Sequence, residues 1–236
     1  MGTNRLRSDE IGELHACCRR GKEGAEERSS RQFEINLKAE ATLEQVVAVH
    51  ETHPDAWAYR AVIAHLRNDP ARERSARGKA LSTWARNPRV DSLIGEKLSA
   101  KYRFAEGAAY QRRAREFDPE YLPAKSALAT DLLRLGETEE GWRLAQEVHE
   151  ADAYDVEAFN LVTLRDTMAK YAALSGDDFV VRMAAPEVAV YGPRVVALLR
   201  RAKETLTRKY GVELASPTYI DIFADQRDFA VRTFGL

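Results

Sequence analysis

The chain has 236 residues, enough to bury a sizeable core, and its 36 basic and 37 acidic residues leave a formal charge of −1. The two signs are interleaved, so no field builds up that would gather nucleic acid or an anionic membrane surface, and neither is expected as a partner. The two cysteines, Cys17 and Cys18, are sequence neighbours and poorly placed for an ordinary structural disulfide, which excludes an oxidative scaffold.

Residues 1–30 carry charges at Arg5, Arg7, Asp9, Glu10, Glu13, Arg19 and Arg20 without an apolar stretch of signal-peptide type. Gly21, Gly24 and Ser29-Ser30 interrupt any helix that begins near Ile11, so a mobile N-terminal segment is expected here. No run in the chain is long and apolar enough to read as a membrane span. With neither signal peptide nor span, a cytoplasmic location is the default expectation.

Over residues 31–174 almost nothing reads as strand. Apolar residues recur three and four apart in segments of helical length, and "HPD", "NDP", "NPRVD", "FDPEY" and "DAYDV" break them. A shift of 34 residues superposes "FAEGAAYQRRAREFDPEY" (104–121) on "TEEGWRLAQEVHEADAYD" (138–155), aligning Glu106 with Glu140, Gly107 with Gly141 and Asp118 with Asp152. The preceding helices align as well, Gly95 on Ala129 and Leu98 on Leu132. Each unit thus reads as a helix-turn-helix whose small residues let two helices approach closely, with Pro119 stopping the second helix of its unit. Trp57, Trp84 and Trp142 are expected between helices in the core. The basic run "ARERSARGK" (71–79) reads as a solvated helix face.

These units resemble the tetratricopeptide repeat in length, in their small residues at the crossings and in an Asp-Pro at the unit's end. The likeness covers 89–154 well. It extends more loosely over 55–88, because the next step from Asn87-Pro88 to Asp118-Pro119 is 31 residues. Residues 156–174 read as a further first helix without a partner. The resemblance implies an α-solenoid that holds a protein or peptide ligand in the groove of its first helices. The groove positions it assigns are Glu96, Ser99, Ser126, Thr130, Arg134, Glu157 and Asn160.

At "SGDD" (175–178) the period breaks, and an α+β domain over 175–236 is expected. "DFVVRM" (178–183) and "TYIDIF" (218–223) read as strands. Between them "GPRVVALLRRAKETLTRKYG" reads as an amphipathic helix with Pro193 in its first turn and Gly211 as its stop. Asp225 is placed to cap a terminal helix. Two strands alone are marginal, so the expectation is a partial domain that continues beyond Leu236. A C-terminal αβ cap on the solenoid is the alternative.

This succession of elements, ending in "DFAVRTFGL", resembles the N-terminal portion of a peptidase MA-like (gluzincin) domain, the zinc metallopeptidase type found behind tetratricopeptide repeats in large bacterial proteins. The family's chemistry needs His-Glu-x-x-His, two imidazoles one helical turn apart on zinc with a Glu handling the water proton. This chain lacks that motif. Its histidine pair, "HETH" (50–53), sits at a helix end beside Pro54. No catalytic residue, metal ligand or cofactor is therefore assigned to this chain, and zinc is expected only in a longer parent. The expected fold is mostly α, a tetratricopeptide-like solenoid followed by a partial α+β domain. Its expected role is the interaction module of a metallopeptidase-like protein, the alternative being a non-enzymatic scaffold.

Overall fold

The computed structural model describes residues 38–176, 178–214 and 217–234. The chain divides into two compact units, Met1–Ala85 and Arg86–Leu236.

In the first unit a helical run over 38–49 (α1) precedes α2 (Pro54–Leu66) and α3 (Pro70–Ala80). Helix α2 starts on His53, whose imidazole Nδ1 accepts from the Ala56 amide at 3.3 Å, and Pro54 follows where the missing N–H costs nothing. Asp69 does the same for α3, accepting from the Arg72 amide at 3.0 Å ahead of Pro70. The two helices meet through alanines: Ala56, Ala58, Ala61 and Ala64 on α2 and Ala76 and Ala80 on α3 are buried. Asn68 takes the left-handed turn between them, with φ of 57°.

The second unit continues with α4 (Pro88–Ser99), α5 (Phe104–Phe117), α6 (Leu122–Leu135), α7 (Thr138–Ala151) and α8 (Val156–Met168). First helices open at Pro54, Pro88, Leu122 and Val156, and second helices at Pro70, Phe104 and Thr138, a step of 34 residues each time. The leading pair therefore keeps the full period. The 31-residue spacing arises because Pro88 opens a helix whereas Pro119 lies in the link before one.

The close approaches expected at the small residues are present. A Cβ on Gly95 would come within 2.9 Å of the Gly107 carbonyl oxygen, and one on Gly141 within 2.8 Å of Leu133 Cγ. One on Gly107 would strike the Ser99 hydroxyl and lie 2.8 Å from an Asp131 carboxylate oxygen. Around these contacts Ile94, Leu98, Leu128, Leu132, Leu144 and Val148 are fully enclosed. Of the tryptophans, Trp142 packs against the core and Trp57 is half-buried. Trp84, 58% exposed, is not a core residue as expected, because it lies in the irregular link after α3 rather than on a helix.

Helix α8 ends at Met168, and after a two-residue link the chain enters a strand at Tyr171. This corrects the reading of 156–174 as one helix. The strands β1 (Tyr171–Ser175), β2 (Phe179–Ala184) and β3 (Thr218–Ile222) form one sheet in that order, three strands where the sequence reading found two. β1 and β2 form an antiparallel hairpin closed by the Gly176 amide donating to the Phe179 carbonyl at 2.7 Å. β2 and β3 are parallel and joined by α9 (Ala185–Tyr210). Along β2, Phe179, Val181 and Met183 point inward and are buried.

Helix α9 starts seven residues earlier than expected. Its first-turn proline is Pro186, and Pro193 lies inside the helix. A proline there removes one backbone bond, and an amphipathic 26-residue helix absorbs the loss. The adjacent Gly192 is buried because α9 passes over β1 at this point: a Cβ would come within 2.8 Å of Leu174 Cδ1. The terminal helix α10 (Gln226–Phe234) has Asp225 at its start, as expected, accepting from the Arg227 amide at 2.7 Å. Among the described residues no helix is long and apolar enough to cross a membrane.

Candidate protein-binding face

The positions assigned to a groove lie on α4 (Glu96, Ser99), α6 (Ser126, Thr130, Arg134) and α8 (Glu157, Asn160), the first helices of three consecutive units. Two hydrogen bonds stitch these helices together. The Ser99 hydroxyl donates to Asp131 Oδ2 at 2.7 Å, joining α4 to α6, and the Thr130 hydroxyl donates to Glu157 Oε1 at 2.6 Å, joining α6 to α8. Ser126 is buried, Asn160 is half-buried, and Glu96 is exposed and pairs with its neighbour Lys97.

Asp131 is the residue that pattern reading missed. It is 1% exposed, and its carboxyl is pushed up from 3.8 to about 6. Burial is the main cause. The Ser99 hydrogen bond and the Arg134 charge oppose it, and the Glu157 carboxylate adds to it. Burial also raises Glu157, with the Thr130 bond and Arg134 opposing and Asp155 reinforcing. The sequence held one clue: Asp131 lies between Leu128 and Leu132 on the core side of α6, where an acid is out of place unless partnered.

Arg134 faces both carboxylates but directs its hydrogen bond elsewhere. Its guanidinium stacks 4.9 Å from the Phe104 ring centroid, and Nη2 donates to the Thr233 carbonyl of α10 at 3.1 Å. The exchange is returned, since Arg232 Nη2 of α10 donates to the Leu133 carbonyl at the end of α6 at 2.6 Å. Val231 packs against the cluster formed by Leu128, Leu132, Leu133, Leu144 and Leu161, and α10 rests on α8. Helix α10 thus covers one end of the face.

A carboxylate holds α10 from the other side. Asp221 on β3 accepts two bonds from Arg182 on β2, at 2.6 and 2.9 Å, and its Oδ2 lies 3.5 Å from Arg232 Nε. Burial lowers the pKa of Arg232, and Asp221 is the charge that resists this most. The sheet, α10 and α6 are therefore joined by one chain of polar contacts.

The histidine pair has a structural task. The rings of His50 and His53 meet edge-on with centroids 5.4 Å apart, and the His53 Nδ1 lone pair is spent on the α2 cap.

A scan against family models and a search of curated proteins return no match. Among solved structures, one described as "Functional Characterization of Pseudomonas Aeruginosa pilF" is similar at 17% identity and a TM-score of 0.40, over 77% of this chain and 87% of that one. The assignment of the fold as a mostly α, tetratricopeptide-like helical repeat with a small α+β portion rests on the helix pairs and the sheet described above.

Proposed function

We propose that the protein is a protein-interaction scaffold whose α4, α6 and α8 face receives a peptide segment of a partner. The observation that supports this is the polar track Ser99, Asp131, Thr130, Glu157 and Arg134, which crosses three consecutive first helices and joins them by side-chain hydrogen bonds. The half-buried Glu157 carboxylate on that track, with exposed Glu96 on the same face, favours a segment carrying a basic side chain. The α+β portion acts as a cap on the last helix, through α10 on α8.

The test is a displayed-peptide selection on the full chain, followed by affinity measurements with Glu96→Lys and Asn160→Ala. Selected peptides that lose at least tenfold in affinity with either variant support the reading. Peptides that bind all variants equally overturn it.

A finer reading places this scaffold in a longer zinc metallopeptidase-like protein. Its support is the order of elements over 178–234, strand, helix, strand and helix, which follows the order the resemblance implies. Reading the coding sequence past Leu236 decides it: a His-Glu-x-x-His within the following hundred or so codons sustains this reading, and an uninterrupted frame without one removes it.

A further inference from the structure

The first unit carries a cleft between α2 and α3, closed on one side by α1, whose chemistry differs from that of the face just described and involves none of its residues. Arg60 and Arg67 line it from α2, Arg72 and Lys79 from α3, with Glu40 and Asp69 as the carboxylates and Trp57 as its wall. Among the described residues four cations face two carboxylates, a surplus of two positive charges.

The surplus has an address. Arg67 is held by Glu40 in a two-pronged pair at 2.7 and 2.9 Å, and Arg72 leans on Asp69 at 3.3 Å. Arg60 and Lys79 instead converge on the indole of Trp57, with Cζ at 4.6 Å and Nζ at 4.3 Å from the ring centroid. The indole N–H is occupied by the Glu51 carbonyl at 2.6 Å, so Trp57 is fixed edge-on to the backbone and offers its faces. The ring gives each cation only a weak attraction and neutralises neither. A dianion in the cleft that both reach can take the forked guanidinium and the ammonium together. Ser75, which also lines the cleft, adds a hydroxyl donor, and Ile63 and Ala64 supply an apolar floor for the chain that carries the anion.

We propose that this cleft binds a phosphate monoester borne on a peptide, a phosphoserine or phosphothreonine segment, with Arg60 and Lys79 as the charge pair, Trp57 as their support and Ser75 as a further donor. A carboxylate carries one charge where a phosphate carries close to two at neutral pH, so a glutamate in its place binds more weakly.

The experiment uses the full chain and a capped five-residue peptide with one phosphoserine among alanines, measured by calorimetry at 50 mM salt. The same peptide with glutamate, the same peptide with serine, and inorganic phosphate are measured alongside it. The expected result is saturable one-to-one binding of the phosphopeptide, at least tenfold weaker for the glutamate peptide and absent for the serine peptide. Arg60→Gln and Lys79→Gln should each weaken it about tenfold, while Arg74→Gln, an exposed α3 cation outside the cleft, leaves it unchanged. Lys79 is exposed, so its variant keeps the fold and carries the test even where Arg60→Gln does not. Absence of saturable binding overturns the proposal. So does equal weakening by Arg74→Gln, which marks a diffuse charge effect, or inorganic phosphate binding as tightly as the peptide.

Discussion

Replacing Asp131 with asparagine should stabilise the protein at pH 8 and leave it unchanged at pH 4. The side chain is 1% exposed, and burial raises its pKa from 3.8 to about 6. A carboxyl raised in the folded state favours folding below about pH 4, and that contribution is lost as pH climbs to about 6, because the folded protein holds a proton that the unfolded chain has released. A shift of about two units corresponds to roughly 3 kcal/mol at about 1.4 kcal/mol per unit. Asparagine keeps the acceptor that Ser99 needs and carries no charge to desolvate. Taking about 1–3 kcal/mol as the gain, the melting temperature at pH 8 should rise by roughly 3–9 °C for a chain of this size. Glu157 is raised for the same reason, so the variant retains a shallower decline over the acid range. The assay is thermal and urea unfolding of both proteins at pH 4, 6 and 8, compared as differences. A variant that loses the same stability at pH 4 and pH 8 refutes the reasoning, since the Ser99 bond and the Arg134 attraction would then outweigh burial.

Gly107→Ala should cost about 2–3 kcal/mol, because the added methyl strikes Ser99 and Asp131 where two helices cross, and chemical denaturation reads the loss directly. Gly78→Ala should do the reverse, gaining about 0.5–1 kcal/mol, since this exposed helical glycine has nothing within 4 Å of a Cβ. Asp221→Ala should strand Arg182 and Arg232 without their shared carboxylate; hydrogen exchange over 226–234 should then accelerate at least tenfold while 122–148 stays protected.

Most of the helical array was legible because its signals are local. Glycine and alanine 34 residues apart mark the crossings, and apolar residues three and four apart mark the faces. The α+β portion was harder to read. "YAALS" carries two alanines and a single β-branch-free apolar run, so nothing in it opposes continuing the helix; it is strand because β2 pairs with all five of its residues. Pro193 was read as a helix start because first-turn proline is the common case, yet Pro186 occupies that role. The groove residues could be placed on their helices by period, but their partners could not. Arg134 meets a carbonyl 99 residues away, and no spacing rule reaches that far. Trp57 was expected in the core as an aromatic residue on a helix, and the two cations that flank it come from a different turn and a different helix.

That separation of 99 residues also sets an order of events. The bonds that stitch the array join residues 27 and 32 positions apart, whereas those that seat α10 close a loop about three times longer, at an added entropic cost of about 1 kcal/mol. Each helix pair is therefore assembled quickly from nearby chain, and docking of α10 comes last. Until then the leucine cluster lacks the cover that Val231 gives it, and the Leu133 carbonyl lacks its Arg232 donor. The last of these contacts to form is also the one that shields this apolar surface, so the interval before α10 docks is the moment at which a chaperone has most to hold.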